Sequence, residues 1–298
     1  MTLELRRYRS RQDLAPLLGF CSAATAAHAP SRPTWHPGDL VWQLQGRFEG
    51  PRPLYAVLDG DAVVGALWFQ GEDLLFDLLP GHGGMGALLQ AALEKARRAG
   101  AERLNCGVAD EDGPRQAAMT AAGFRRAGPG SVRFERDLVQ APPVPSPPDG
   151  LRLRDCVGID PEARALVHRA AWSALGHLGI DATSTFSAEQ YLGLASDGAY
   201  DPRFDIVAEA PDGRLVANAL AWADPATGVA VFEPVGVHPG FRGAGLTGAV
   251  MTEAMARLAA AGVRRARVGT SHFNEAAIRA YDKAFDRAGS TSTWTVAL

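Results

Sequence analysis

A mixed α/β fold, α+β-like in its order and built as two tandem units, is predicted for this 298-residue chain by three observations. The stretch QAPPVPSPPDG, Gln140 to Gly150, carries five prolines and divides the chain nearly in half. Proline has no N–H for a helix or central strand, so this segment should be an extended, solvent-facing linker. Each half runs through one order of patterns: strand, hairpin, strand, glycine-rich turn entering a helix, strand, helix, strand. The hairpins turn at Asp59-Gly60 and at Pro211–Arg214, where short polar turn residues separate β-rich runs. Each unit should therefore hold a mostly antiparallel mixed sheet flanked by helices. The expected boundaries are 1–139, a linker over 140–150, and 151–298.

The elements follow in order. LELRRY is a strand and LYAVLDGDAVVGALWFQ a hairpin. DLLFDLLP is a strand, and GGMGALLQAALEKARRAG starts rich in glycine, continues as a helix and stops at Gly100. ERLNCGVA, GPRQAAMTAAGF and SVRFERDL read as strand, helix and closing strand. In the second half LRLRDC alternates as a strand. Asp160 and Pro161 open a helix over Asp160–Leu175, and SAEQYLGLAS suggests another. FDIVAEA and RLVANALAWAD form the hairpin, and GVAVFEPVGV, Gly228 to Val237, is the strand before the turn. A helix then runs from Gly243 to Ala261 with its stop at Gly262. RRARVGTS, NEAAIRAYDKAF and STWTVAL complete the half as strand, helix and strand.

Composition excludes several classes. Hydrophobic residues are 47% and charged residues 21% of the chain, an ordinary globular balance. A net charge of −3 supplies no field that would draw the protein to nucleic acid or to a membrane surface. Cys21, Cys106 and Cys156 stand far apart with no CxxC or Cys/His cluster, so no metal site or disulfide framework is expected and a cytoplasmic location fits. The start, MTLELRRYRSRQDL, lacks the apolar core of a signal peptide, and no run of about 18 apolar residues predicts a transmembrane helix.

The chemistry is concentrated in HPGFRGAGLTGAV, His238 to Val250. A strand ends at Val237, and a short turn leads into a helix with Gly243 and Gly245 at its start. The first N–H groups of a helix lack internal partners and carry partial positive charge, so Gly243, Ala244, Gly245, Leu246, Thr247 and Gly248 offer backbone donors to an anion such as a diphosphate. Arg242 adds a cation. The bland alternative is an ordinary flexible turn. No G-x-x-x-x-G-K-[ST] is present, which excludes a P-loop. The glycines satisfy G-x-G-x-x-G, yet they follow a meander of hairpin strands, and the next strand ends in Thr270-Ser271-His272 without an acidic residue.

The segment VGVHPGFRGAGLTGAVM resembles the acyl-CoA-binding motif of the GNAT acyltransferase superfamily, V-x-P-x-x-R/Q-x-x-G-x-G/A, through Val237, Pro239, Arg242 and Gly245; Thr247 departs at the final small position. NEAAIRAYDKAF resembles that superfamily's second segment through Asn274, Ala277, Tyr281, Lys283 and Phe285, with Ala284 in place of the usual glycine. The layout is similar to that of tandem superfamily members such as mycothiol synthase. The resemblance implies two GNAT-type units, each with a splayed central strand pair. It implies direct transfer of an acetyl group from acetyl-CoA, a co-substrate, to an amine. Tyr281 sits where the superfamily's general acid reaches the CoA sulfur; its alternative role is core packing. Glu233 is the candidate base on the strand leading to the turn; its alternative is a salt-bridge carboxylate. Backbone groups of Val235 and Val237 would meet the pantetheine arm, with Gly236 marking a bulge or a close backbone approach. Asn274 would contact the CoA arm or cap its helix. His238 and His272 read as structural.

In the first half the glycine-rich turn keeps Gly84 and Gly86, but the arginine position falls on Gly81 or His82. Gly113 falls at the asparagine position and Thr120 at the tyrosine position, so this half is expected to keep the fold without catalysing transfer. Candidates to line an acceptor pocket are Trp172, His177, Asp181, Phe186 and Tyr191, and the similar cluster Trp35, His36, Asp39 and Trp42. The expected protein is a monomeric or homodimeric N-acetyltransferase of a small-molecule amine, with no nucleic-acid or membrane partner and no metal. The alternatives are a non-catalytic acyl-CoA-binding regulatory module, transfer of another acyl group, and transfer to a protein amine.

Overall fold

The computed structural model describes residues 3–27, 35–148, 150–173, 175–179 and 183–298, with the backbone alone at His177. In chain order the elements are β1 (Glu4–Arg7), α1 (Leu14–Ala27), α2 (Pro37–Leu44), β2 (Leu54–Asp59), β3 (Ala62–Gln70), β4 (Asp73–Leu78), α3 (Met85–Arg98), β5 (Arg103–Ala109), α4 (Gly113–Ala121), β6 (Arg125–Asp137), β7 (Arg152–Asp155), α5 (Pro161–Trp172), α6 (Ala188–Ala195), β8 (Asp205–Glu209), β9 (Leu215–Asp224), β10 (Val229–Val237), α7 (Leu246–Ala260), β11 (Arg265–Ser271), α8 (Glu275–Tyr281) and β12 (Asp286–Ala297). Residues 141–147, within the proline-rich stretch, form no regular element.

These elements form two compact units. The first contains residues up to His36, Phe48–Arg133 and Ala288–Leu298; the second contains Pro37–Arg47 and Phe134–Arg287. Each is built mainly from one half of the sequence and takes one segment from the other. The first unit orders its strands β1-β2-β3-β4-β5-β12. Its last strand comes from the end of the chain: Thr291–Ala297 pairs antiparallel with Ala109–Arg103. An apolar core cluster, including Leu67, Phe76, Leu89, Leu93, Met119, Phe124 and Trp294, joins this sheet to α3 and α4.

The second unit orders its strands β11-β10-β9-β8-β7, antiparallel except for the parallel pair β10–β11. Local chemistry sets its helices. Asp160 accepts from the N–H groups of Glu162 and Ala163 to cap α5, and Pro161 occupies the first helical position, where its missing N–H costs nothing. Ser187 and Gln190 form a reciprocal capping box at α6. Gly262, in the left-handed region at φ +87°, follows the end of α7.

Beneath α5 the unit buries an ion pair. The Arg164 guanidinium donates to both carboxylate oxygens of Asp205 at 2.9–3.1 Å, and neither side chain is more than 2% exposed. Tyr200 donates its hydroxyl to the same carboxylate at 3.1 Å and shares a 2.6 Å hydrogen bond with Tyr191. Tyr191, a candidate for the acceptor pocket, is thus a buried member of a structural network.

Two helices of the N-terminal half, α1 and α2, have no counterpart in the sequence-based order. α1 is almost uniformly apolar and small, LAPLLGFCSAATAA, so its buried face leaves little helical periodicity. α2 begins Pro-Gly and is eight residues long, too short for a periodic signal.

Candidate active site

The site grows from the end of β10. The β10–β11 ladder runs from Val229↔Arg265 to Val231↔Arg267 and goes no further, although β10 continues to Val237 and β11 to Ser271. On its other edge β10 stays paired with β9, with an irregularity between Phe232 and Val235, after which Val235, Gly236 and Val237 face Ala219, Asn218 and Ala217. The two parallel strands therefore part beyond Val231, which leaves one edge of residues 232–237 without a strand partner among the described residues.

The irregularity holds Glu233 and Pro234, joined by a cis peptide bond. It lies ahead of Gly236, one of whose two sequence readings was a bulge. Gly236 answers to a close approach instead. A Cβ there would lie 2.2 Å from Trp172 Cζ3 and 2.6 Å from Ala171 Cβ, so only glycine lets α5 sit this close to the strand. Two side chains of β9 hold the irregular backbone: Trp222 donates its indole N–H to the Glu233 carbonyl at 2.6 Å, and Asn218 donates its amide to the Pro234 carbonyl at 3.5 Å.

The Glu233 side chain keeps a small exposed surface, but protein packed around the carboxyl makes ionisation costly. Burial, with the nearby charge of Asp39, pushes its pKa up to about 8; a hydrogen bond from the Trp42 side chain opposes that rise. The carboxyl is therefore poised to exchange a proton near neutrality, the property a general base needs.

Past Val237 the chain makes a short 3-10 turn, in which His238 Nδ1 accepts the Gly240 N–H at 3.1 Å. His238 is thus a turn residue. Gly243 and Gly245 take φ of +83° and +77°, a region that disfavours a side chain, and α7 begins at Leu246. The first backbone bond of the helix runs from Ala249 N to Gly245 O at 3.2 Å, so the N–H groups of Gly243, Ala244, Gly245, Leu246, Thr247 and Gly248 precede the helical ladder. Among the described residues, and apart from the adjoining backbone, no atom lies within 4 Å of where a Cβ would stand at Gly243, Gly245 or Gly248. Leu246 is buried and anchors this first turn, while Thr247 is partly exposed. Arg242 is exposed and ties the turn to the end of α5 by donating to the Ala171 carbonyl at 3.2 Å.

Asn274 caps α8: its Oδ1 accepts the Ala277 N–H at 3.2 Å. Of its two sequence roles, capping is the one this contact displays. The helix delivers Tyr281, only 6% exposed, with its ring against Phe134 and Phe285 at centroid distances of 5.6 and 6.3 Å. None of the described hydrogen bonds uses the Tyr281 hydroxyl. Burial, then the charge of Glu233, raises its pKa, so the phenol stays protonated.

An aromatic wall stands next to Glu233. Trp42 meets His168 and Phe186 at 5.3 Å each, and His168 stacks on Trp172 at 4.5 Å. His168 was not among the sequence candidates; its i, i+4 spacing from Trp172 on a helix is the signal that places the two rings together. Burial, then Arg164 and Arg169, lowers its pKa to about 3, so the ring is neutral. Trp172, Phe186, Asp39 and Trp42 thus gather in the second unit. Trp35 and His36 belong to the first, where Trp35 packs on Trp68 at 6.2 Å. The His177 side chain and Asp181 lie outside the described residues.

The first unit repeats this design with altered chemistry. Its parallel strands β4 and β5 share one register pair, Asp73↔Asn105. At the start of α3, Gly84 has φ +122°, and a Cβ there would lie 2.9 Å from Leu3 Cδ1, so a leucine leans on this helix start. The α4 cap corrects the alignment of the halves. Asp112, not Gly113, accepts from the N–H of Arg115, three residues on, as Asn274 does from Ala277. Counting from the caps, Met119 rather than Thr120 stands at the Tyr281 position, and Arg115 at the Ala277 position. Arg115 is buried, pairs with Asp77 on β4 and donates to the Phe76 carbonyl at 3.2 Å. A guanidinium ion pair thus lies between α4 and β4, where the second unit has a methyl group.

Among the described residues no group of three or more His, Cys, Asp or Glu side chains could hold a metal ion, and no helix is long and apolar enough to cross a membrane. Residues 177–286, which include Glu233, the glycine turn, Asn274 and Tyr281, match the acetyltransferase (GNAT) family. No curated protein matches the chain. Among solved structures, a tandem GNAT protein from the clavulanic acid biosynthesis pathway is similar at 20% identity and a TM-score of 0.64, covering 99% of this chain and 98% of that one. A GCN5-related N-acetyltransferase from Sphaerobacter thermophilus is similar at 18% identity and 0.63, covering 99% and 95%. A GNAT-family acetyltransferase from Colwellia psychrerythraea reaches 16% and 0.60, covering 99% of both chains. Over nearly its whole length, then, the chain has the fold of these GNAT structures, and the family match itself lies in the second half.

Proposed function

We propose that the second unit transfers an acetyl group directly from acetyl-CoA to the primary amine of a small molecule. The observation that carries this reading is the parting of β10 from β11 beside a carboxyl with a raised pKa, one turn of chain from an open glycine-lined helix start. These residues fit coenzyme A. The amides of Gly243 to Gly248 and Arg242 would hold its diphosphate, and the free edge at Val235 and Val237 would pair with its pantetheine amides. Acetyl-CoA supplies an activated thioester carbon.

The chain's own residues handle the protons. An alkylamine arrives as an ammonium and cannot attack until it loses a proton, so Glu233 takes that proton directly or through a water. A backbone N–H of the irregular strand would stabilise the developing oxyanion. Tyr281, protonated and without a protein partner for its hydroxyl among the described residues, donates to the departing sulfur. A thiol of ordinary pKa leaves well unaided, so Tyr281→Phe should lower kcat by only about 10-fold to 100-fold, with the Kd for acetyl-CoA unchanged. Equal turnover in the phenylalanine variant would remove Tyr281 from the mechanism.

The reading is tested by thiol release from acetyl-CoA across a panel of amines. Silence across the panel with tight coenzyme A binding would favour an acyl-CoA-binding regulatory module. In the first unit, the Arg115–Asp77 pair and Leu3 favour an architectural role. Calorimetric titration with coenzyme A should therefore give one site per chain, and two tight sites would overturn that assignment.

A further inference from the structure

The family match begins at residue 177, yet the ring of Tyr281 is seated in part by a side chain from the other half of the sequence. Phe134 stands on β6, ahead of the proline-rich stretch, and belongs to the second unit. It is buried, and its ring meets the Tyr281 ring in a T-shaped contact, with 5.6 Å between centroids and 75° between planes. Phe285 meets Tyr281 at 6.3 Å and 69°, and Phe285 in turn meets Phe232, the residue before Glu233, at 6.0 Å. The phenol is thus linked to β10 through Phe285 and to β6 through Phe134.

Phe134 is itself fixed by two sets of contacts. Beside it, Glu135 pairs with Arg265 and Arg267 of β11 at 2.8 and 3.0 Å, and the N–H of Leu138 donates to the Arg264 carbonyl at 2.8 Å. These contacts hold the end of β6 against β11. The Arg287 guanidinium lies 5.9 Å from the centre of the Phe134 ring. The same guanidinium donates to both carboxylate oxygens of Asp282, the residue after Tyr281, at 2.7 and 2.8 Å. One cation therefore ties the end of α8 to the ring that meets Tyr281.

None of the described hydrogen bonds reaches the Tyr281 hydroxyl, so the packing of its ring sets the direction of the C–O bond. Aromatic pairs prefer defined geometries, which an aliphatic neighbour does not impose. We propose that Phe134 is a positioning residue for the Tyr281 hydroxyl, aiming the phenol at the departing sulfur. The inference rests on the reading of Tyr281 as the acid. A donor aimed off line transfers its proton less well even when substrate binding is intact.

The test is a double-mutant cycle in the full chain, with acetyl-CoA and the fastest amine of the panel. Phe134→Leu should lower kcat by about 3-fold to 30-fold, and by no more than Tyr281→Phe does, with the Kd for acetyl-CoA unchanged. In the Tyr281→Phe background the same substitution should leave kcat within about 2-fold, because no hydroxyl is left to aim. Stability should behave differently. Tyr281→Phe keeps the ring, so Phe134→Leu should lower the urea midpoint equally in both backgrounds. No loss of kcat in Phe134→Leu, or a loss by the same factor in both backgrounds, would overturn the proposal. Should Phe134→Leu fail to fold, Glu135→Ala decides: it releases β6 from β11 at a partly exposed position, and its loss of kcat should also vanish with the hydroxyl. Equal turnover of Tyr281→Phe and wild type, or no turnover at all, would instead be a failure of the acid reading and would take this role with it.

Discussion

Glu233→Gln should lower kcat/KM by roughly 10²-fold to 10⁴-fold, the span over which a positioned general base contributes. The substitution keeps size and shape and leaves the Trp222 bond to the Glu233 carbonyl in place, because that bond uses the backbone. What it removes is the group that accepts the ammonium proton. The pH dependence carries the sign. With a pKa near 8, Glu233 is mostly protonated at pH 6 and becomes competent as the pH rises, so wild-type kcat/KM should climb through about pH 8. The glutamine variant should lose that limb. A variant with the same limb at the same pH would assign the ionisation to another group. Stability runs the other way. A folded-state pKa above the ordinary 4.5 means that the native state binds the proton more tightly, so its contribution is complete below 4.5 and is lost as the pH rises through about 8. Glutamine cannot ionise. The variant should therefore gain stability relative to wild type on going from pH 5 to pH 9, read by urea midpoints at both pH values.

The largest effect on stability is expected at Asp205→Ala, a loss of about 3–5 kcal/mol. Arg164 and Asp205 are both almost fully enclosed, and the carboxylate takes three guanidinium contacts and the Tyr200 hydroxyl. Removing the carboxylate strands a cation that water cannot reach, and it leaves Tyr200 without its acceptor. The cost is that of an unpaired buried charge, not the net worth of the pair. Asp205→Asn keeps a carbonyl acceptor and should fall between the two. Urea denaturation of the full chain measures all three, and a loss below about 1 kcal/mol for alanine would show that the network is solvated in solution.

Much of this architecture was readable where local chemistry decides it. Asp160-Pro161, the Ser187–Gln190 box and Gly262 set helix ends through bonds within a few residues, and the Asp59-Gly60 turn acts over the same range. The glycine turn was readable because two left-handed residues leave few alternatives to glycine. Partner choice was not. Alternation in STWTVAL predicts a strand, but nothing in it selects β5 of the other half. The irregularity at Glu233-Pro234 leaves no signal in GVAVFEPVGV, and of the two readings of Gly236 the close approach is the one displayed, with Trp172 Cζ3 2.2 Å from a would-be Cβ. Asp39 and Trp42 were visible as a cluster, yet their place in the second unit depends on α2 resting on β9, where a Cβ on Gly38 would lie 2.1 Å from Trp222 Cβ. Contacts between residues so distant in sequence leave no periodic trace.

The exchange of segments also governs how the chain can be assembled. On the ribosome, β5 emerges long before Thr291–Ala297, and until then its edge is an unpaired template. The first unit cannot complete its sheet before the main segment of the second has been synthesised. α2 meanwhile waits for Trp222. Neither half can finish folding as it is made, so closure depends on contacts of very long sequence separation, which slow folding. Cutting the gene at the proline-rich stretch would yield two fragments, each missing a piece that the other holds. Such fragments should recover their structure only when expressed together.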